Sequence, residues 1–111
     1  MRVAFLGATK GMGRALARLM AERGDTICLL GRNDADLERS AADLSVRGAA
    51  DPVPSVACDL EKPETFPSAI DAARETLGGL DAVVVTAGIF ATQDELEADP
   101  ELAEKLVRIN F

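Results

Sequence analysis

The chain has 111 residues, 48% of them apolar and 4% aromatic, and a formal net charge of −7. This length suits a single domain with its own hydrophobic core, and the acidic balance argues against general nucleic-acid binding. The sequence contains no His and no Tyr, so two side chains that often serve as acids and bases in catalysis are absent from it.

The first predicted unit is a strand over residues 2–6, a glycine-rich turn, and a helix over residues 12–23 that Gly24 ends. Apolar side chains recur at helical spacing along this helix, at Met12, Ala15, Leu16, Leu19 and Met20. The continuous apolar run over residues 26–30 predicts a second strand that is buried on both faces.

Three more helices and two more strands are predicted downstream. Asn33 or Asp34 caps the second helix, residues 52–57 form a third and shorter strand, and residues 80–85 form a fourth. Prolines begin the third and fourth helices and two glycines end the third, at Pro63, Pro67, Pro100, Gly78 and Gly79. The inward faces of these three helices are predicted to carry Leu37, Ala41 and Leu44, then Phe66, Ala69, Ile70, Ala73 and Leu77, then Leu102, Leu106 and Ile109.

Alternation of strands and helices predicts the α/β class, with a Rossmann-like, doubly wound parallel sheet and helices on both of its faces. Right-handed crossovers and a phosphate site after the first strand predict about four strands in the order 3-2-1-4. We expect residues 1–111 to form one domain. A ligand should lie across the carboxyl ends of strands one and four.

The glycine turn has the spacing Gly7-x-x-x-Gly11-x-Gly13. It lacks the Lys-Ser/Thr pair of a Walker A loop, and it is longer than the usual dinucleotide fingerprint. Such a turn between a strand and a helix brings backbone amides and the helix dipole to a phosphate. A purely structural turn is the alternative interpretation. The predicted dinucleotide contacts in this segment are Gly7, Thr9, Lys10, Gly11, Met12 and Gly13.

The end of the second strand discriminates between two dinucleotides, because an acid there would bind the 2′-OH of NAD and a base would favour the 2′-phosphate of NADP. The strand ends in Arg32 and Asn33, and Arg32 can pair with a phosphate through two hydrogen bonds. Lys10 is placed to approach the same group, so we predict NADP and disfavour NAD. The alternative is a solvated Arg32. Asp34 and Asp36 fit better as acids at a helix N-terminus.

Two later strand ends complete the predicted site. Asp59 and Leu60 follow the third strand, where the Asp59 carboxylate either accepts a hydrogen bond from the adenine amino group or only caps the next turn. The small residues Ala87 and Gly88 follow the fourth strand and would let a cofactor ribose lie against the backbone.

The two cysteines, Cys28 and Cys58, lie in apolar runs, which predicts reduced, buried thiols in a cytoplasmic protein. No apolar run reaches the roughly 20 residues of a membrane span or has the form of a signal peptide, so no membrane contact is expected. Arg14, Arg18 and Arg23 either add positive charge near the glycine turn or simply solvate one helix face.

These features, in this order, resemble the short-chain dehydrogenase/reductase family over residues 2–111. The glycine spacing and Asp59 match the family's glycine motif and its adenine-contacting Asp. The family's Asn-Asn-Ala-Gly motif is matched over residues 85–88, with Val85 and Thr86 in place of both Asn residues. Lys10 and Arg32 look like the NADP-preferring members. The resemblance implies hydride transfer between NADPH and a carbonyl or alcohol.

The same resemblance gives Asn110 the place of the Asn in the family's Asn-Ser-Tyr-Lys catalytic tetrad. The tetrad cannot be completed here, because there is no Tyr and the three lysines, Lys10, Lys62 and Lys105, all precede Asn110. We therefore expect a cofactor-binding front half that is inactive alone, with the catalytic half absent. A non-catalytic NADP-binding sensor or scaffold is the alternative, and a fragment with a purely structural role is a third interpretation.

The fourth strand carries an apolar run that a fifth strand would normally cover. An uncovered apolar strand is open to pairing with another chain. We therefore expect self-association through the edge of the fourth strand or through the neighbouring helix.

Overall fold

The computed structural model describes residues 1–59 and 61–86, which form a parallel four-stranded sheet in the order β3-β2-β1-β4. The predicted strand order is confirmed. The strands are β1 (Arg2–Leu6), β2 (Thr26–Gly31), β3 (Ser55–Ala57) and β4 (Ala82–Val85). The helices are α1 (Gly11–Glu22), α2 (Asp34–Arg47) and α3 (Phe66–Leu77), and a short 3₁₀ helix (Pro63–Thr65) precedes α3.

Two apolar clusters pack on opposite faces of this sheet, because successive side chains of a strand point to opposite sides. Val3 and Phe5 of β1 face a cluster that includes residues of α1 and α2. Ala4 and Leu6 face a second cluster that includes Ala69 of α3. Helices therefore cover both faces, and the continuous apolar runs of β1 and β2 follow from burial on both sides.

Helix α1 does not bury most of the apolar stripe that its spacing suggested. Met12, Leu16 and Leu19 are 81%, 37% and 63% exposed, and Ala15 is exposed as well. Of the predicted stripe, Met20 is buried, and the rest of the buried face carries small residues: Gly13, Ala17 and Ala21. Small side chains let the helix axis lie close to the sheet, and the tight contact at Gly13 described below sets which face turns inward.

Helix α2 follows the prediction. Asn33 is its N-cap, Leu37 and Leu44 are buried, and Ala41 packs against the same cluster. Asp34 and Asp36 occupy the first turn, as expected for acids that interact favourably with the positive end of the helix dipole.

Three elements begin two or more residues after their predicted starts. Strand β3 begins at Ser55 rather than at residue 52, since Pro54 accepts a hydrogen bond from the Leu29 N–H at 2.9 Å but has no N–H to give to the ladder. Helix α3 begins at Phe66, after the 3₁₀ turn that Pro63 opens, and β4 begins at Ala82. On α3, Ala69 and Ala73 are buried, Phe66 and Leu77 pack against their cluster, and Ile70 is half-buried.

None of the helices within the described ranges is long and apolar enough to cross a membrane. The predicted fourth helix, with Pro100, Leu102, Leu106 and Ile109, lies outside the described residues.

Candidate functional site

The carboxyl ends of all four strands meet at one edge of the sheet, because the strands are parallel. The residues that follow β1, β2, β3 and β4 are the glycine turn, Arg32, Asp59 and Thr86. These four described segments of the predicted site thus lie at the edge at which ligands of doubly wound sheets bind.

The glycine turn links β1 to α1 through backbone conformations that favour glycine. Gly7 has φ 110° and Gly11 has φ 55°, both in the region that L-residues rarely adopt. Lys10 is the N-cap of α1 in extended conformation, and neither a side-chain cap nor a first-turn acid is found there. The start of α1 therefore presents backbone N–H groups and the positive end of the helix dipole to an anion.

Gly13 packs the first turn of α1 directly against the glycine turn and the end of β4. A Cβ built on Gly13 would lie 2.0 Å from the Gly7 carbonyl oxygen and 2.3 Å from Thr86 Oγ1. No side chain fits in that space, so the requirement for glycine here is steric.

Thr86 ties β4 to the glycine turn. Its hydroxyl donates to the Gly7 carbonyl at 3.3 Å, and its N–H donates to the Leu6 carbonyl at 2.9 Å. Thr86 stands where the resembled family has an Asn, and it supplies a cross-strand hydrogen bond from that position. The sequence offered one signal for this role, a hydroxyl side chain immediately after an apolar strand.

Arg32 and Asp59 meet across the ends of β2 and β3. Arg32 Nη1 lies 3.9 Å from Asp59 Oδ1, and the Arg32 side chain is 69% exposed against 24% for Asp59. Asp59 Oδ1 also accepts a hydrogen bond from the Glu61 N–H at 2.9 Å. The turn-capping role left open by the sequence is therefore present, and the adenine contact stays a prediction.

Asn33 has a structural role at the start of α2. Its side-chain oxygen accepts a hydrogen bond from the Asp36 N–H at 3.1 Å, which caps the helix. This helix start is capped and acidic, whereas that of α1 is neither. The two helix N-termini at this edge thus differ in their affinity for anions, in favour of α1.

Two of the three arginines of α1 and its C-cap pair with carboxylates away from the glycine turn. Arg18 Nε lies 2.9 Å from Asp43 Oδ2, and Arg23 pairs with the buried Asp25. Hydrogen bonds from Arg18 and Arg47 lower the pKa of Asp43. Arg18 and Arg23 therefore hold surrounding elements together.

Both cysteines are free and buried. Burial raises the pKa of the Cys28 thiol to about 11 and also raises that of Cys58. The predicted burial of both thiols is confirmed. Because the thiolate is the reactive form of cysteine, neither thiol is poised to act as a nucleophile.

Four predicted site residues lie outside the described residues: Leu60, Ala87, Gly88 and Asn110. The described candidates Gly7, Thr9, Lys10, Gly11, Met12 and Gly13 all belong to the turn and the first turn of α1.

Comparison with known proteins identifies relatives across nearly the whole chain. An uncharacterised oxidoreductase of Staphylococcus aureus (strain MRSA252) is 40% identical over 105 residues, which are 95% of this chain and 44% of that protein. The 2-(S)-hydroxypropyl-CoM dehydrogenase 3 of Xanthobacter autotrophicus is 30% identical over 97% of this chain and 42% of its own length. The chain thus spans less than half the length of these relatives.

Solved structures of dehydrogenases and reductases are also similar to nearly the whole chain. A short-chain type dehydrogenase/reductase from Mycobacterium marinum superposes with a TM-score of 0.86 at 27% identity, over 98% of this chain and 43% of that one. A variant of actinorhodin polyketide ketoreductase solved with NADPH has a TM-score of 0.83 at 25% identity, over 96% of this chain and 41% of that one.

The family model described as short chain dehydrogenase matches residues 2–111. Members of this family are oxidoreductases that bind nicotinamide dinucleotide cofactors. The sheet order, the glycine turn and this match lead to one conclusion: the chain belongs to the short-chain dehydrogenase family.

Proposed function

We propose that residues 1–111 form an NAD(P)-binding Rossmann domain, the NADP(H)-binding portion of a short-chain dehydrogenase/reductase. The parent reaction would transfer hydride between NADPH and a carbonyl or alcohol. The observation that carries this proposal is the start of α1, which has no side-chain cap and is packed through Gly13 onto the glycine turn.

The chemistry of the glycine turn supports it as the site of the pyrophosphate. Backbone N–H groups at Gly11, Met12 and Gly13, the first residues of α1, would bind its oxygens, and Gly7 and Thr9 would line the approach. A side chain at Gly13 would fill the space between the turn and β4. Lys10 adds an exposed positive charge beside the same turn.

The adenosine end of the cofactor would lie along the ends of β2 and β3. Arg32 would bind the 2′-phosphate together with Lys10, and its large exposed fraction leaves the guanidinium accessible. Asp59 would accept a hydrogen bond from the adenine amino group, with Leu60 beside it. Asn33 would contribute by fixing the start of α2, and Ala87 and Gly88 would contact the ribose after β4.

Catalysis by this chain alone is not expected. When bound, the nicotinamide ring supplies the hydride chemistry. Asn110 would take the place of one tetrad member, but no Tyr occurs among the 111 residues to donate a proton. We propose that the chain binds the cofactor in the cytoplasm without turning over a carbonyl substrate.

Calorimetric titration with NADPH and NADH tests the cofactor assignment. We expect NADPH to bind more tightly, and Arg32→Ala to weaken NADPH binding about tenfold or more while leaving NADH binding nearly unchanged, since charge-assisted hydrogen bonds contribute about 1.5–3 kcal/mol. Arg74→Ala is the matched control, because it removes the same charge from the exposed surface of α3. Tighter binding of NADH by the unaltered chain would refute the assignment.

A non-catalytic NADP-binding sensor or scaffold is the second candidate, favoured by the same cofactor edge together with the absence of Tyr from the sequence. NADPH-dependent changes in hydrogen exchange or association state, without NADPH oxidation by any carbonyl tested, would support it. Turnover by this chain alone would exclude it and would contradict the expected inactivity.

We also propose that the chain self-associates through the edge of β4. Within residues 1–59 and 61–86, β4 pairs with β1 and with no other strand. Val83 and Val85 of β4 are 44% and 58% exposed, which supports this edge as the contact.

A further inference from the structure

The contact between Arg32 and Asp59 bears on which dinucleotide the site prefers. The two residues lie just beyond neighbouring strands, whose ladder continues to the 2.9 Å hydrogen bond from the Cys58 N–H to the Gly31 carbonyl. Their charged groups approach to 3.9 Å. A 2′-phosphate bound by Arg32 would therefore lie close to the Asp59 carboxylate as well.

Asp59 is the fixed member of this pair. Its side chain accepts from the Glu61 N–H, its N–H donates to Thr65 Oγ1 at 3.2 Å, and its carbonyl accepts from the Lys62 N–H at 2.9 Å. Its side chain is only 24% exposed. The Asp59 carboxylate is consequently held more firmly in place than the exposed Arg32 guanidinium.

Arg32 is the movable member. Its side chain is 69% exposed and its distance to Asp59 is longer than a hydrogen bond. Exposed ion pairs of this kind are weak, so the guanidinium can turn toward a phosphate at little cost. When no 2′-phosphate is present, as with NADH, Arg32 retains Asp59 as a partner.

We propose that Asp59 is a specificity-determining residue that limits the preference for NADPH over NADH. This inference rests on the proposed binding of NADP(H) at this edge. Asp59 holds a negative charge that repels the 2′-phosphate bound by Arg32, and NADH has no such phosphate to repel. This repulsion reduces the difference in affinity between the two cofactors.

The test compares dissociation constants for NADPH and NADH, measured by calorimetry on the full chain and on Asp59→Asn. The amide oxygen of Asn can still accept from the Glu61 N–H and from adenine, so losses common to both cofactors cancel in the ratio. We expect the NADPH preference to rise by about three- to tenfold at low salt, and by less at high salt, because the repulsion is screened. Asp71→Asn, which neutralises an exposed acid on α3, is the matched control and should leave the ratio unchanged.

Asp59→Asn in an Arg32→Ala background distinguishes two roles of Asp59: repulsion of the 2′-phosphate and positioning of Arg32. Repulsion predicts that Asp59→Asn still raises the NADPH to NADH preference when Arg32 is absent. If Asp59 instead orients Arg32, the preference falls in the single variant and does not change in the Arg32→Ala background, which would overturn the inference. Asp59→Ser, also neutral and able to accept from Glu61, replaces Asp59→Asn if that variant does not fold.

Two outcomes distinguish this inference from the proposed function. NADPH binding that Arg32→Ala weakens, with a ratio unaffected by Asp59→Asn, overturns the inference alone. Failure of the unaltered chain to bind NADPH overturns the proposed function and the inference together.

Discussion

At Gly13 the packing of α1 against the glycine turn and β4 leaves no room for a side chain. Its missing side chain leaves room for the Gly7 carbonyl and the Thr86 hydroxyl, which would lie 2.0 and 2.3 Å from a Cβ. The nearer of these two groups, the Gly7 carbonyl, belongs to the backbone, so the strain of a larger residue cannot be relieved by a rotamer change alone. The contact joins residues that are far apart in the sequence.

We predict that Gly13→Ala lowers the free energy of unfolding by about 3 kcal/mol, the upper end of the cost of overpacking. Urea denaturation followed by circular dichroism measures the change. Gly11→Ala is the matched control, because its φ of 55° is also unfavourable for alanine but no atom lies within 4 Å of the added Cβ.

The control should cost about 1 kcal/mol, the strain of a left-handed residue alone. Equal losses from the two substitutions would show that backbone conformation, and not the close approach at Gly13, is what requires glycine in this turn.

The location of the glycine turn, Arg32 and Asp59 at strand ends could be predicted from the sequence, because each follows a recognisable apolar strand. The contact of Thr86 with Gly7 could not, since it joins residues 79 positions apart. Nor does the sequence show that Asp59 is held by the turn that follows it, because that depends on the path of the backbone after β3.

At the scale of elements, α1 and α2 differ in how well the spacing of apolar residues predicts the buried face of the helix. Both helices carry apolar residues at helical spacing, yet α2 buries its predicted face, whereas α1 buries only Met20 of its predicted stripe. In α1 the helix packs close to the sheet. The face that turns inward therefore carries the small residues Gly13 and Ala17, and the larger Leu16 and Leu19 stay exposed. The spacing of apolar residues alone does not show how large a side chain the contact between helix and sheet can accommodate.

For α2, we predict that Asn33→Ala lowers the free energy of unfolding by about 1 kcal/mol, because the Asp36 N–H loses its capping partner. Asn33→Ser keeps an acceptor at the N-cap and should restore nearly all of that stability. Thermal or urea unfolding of the three proteins measures both effects.

The same pair of variants addresses the cofactor. If Asn33 acts only by fixing the start of α2, then Asn33→Ser should bind NADPH as tightly as the unaltered chain. Weaker binding by a fully stable Asn33→Ser protein would point to a direct contact between the Asn33 side chain and the cofactor.

At the scale of the whole molecule, the strand order was predictable because few topologies satisfy alternating strands and helices with right-handed crossovers. The sequence predicted the order correctly, and the location of the ligand site at the carboxyl edge of the sheet stays a prediction. Boundaries were less predictable, as at β3, where Pro54 accepts from β2 without extending the strand.

The edge of β4, which no other strand of the described residues pairs with, leads to a prediction about the molecule in solution. We expect light scattering to give a mass above that of one chain at micromolar concentration, and Val83→Lys to shift the distribution toward monomer, since a charged edge strand resists pairing. Val46→Lys is the matched control: Val46 is 88% exposed on α2, away from that edge.

A monodisperse monomer of the unaltered chain would contradict self-association. An equal shift by Val46→Lys and Val83→Lys would mean that added charge, and not the β4 edge, controls the assembly.

The close packing of Gly7, Gly13 and Thr86 has a consequence for divergence among relatives. Most of the atoms that shape the start of α1 belong to the main chain, while Lys10 and Met12 point their side chains into exposed positions. Substitutions at such positions can accumulate without altering the contour of the turn. The shape can therefore be inherited where residue identities are not, which is how a protein only 27% identical to this chain retains the same fold.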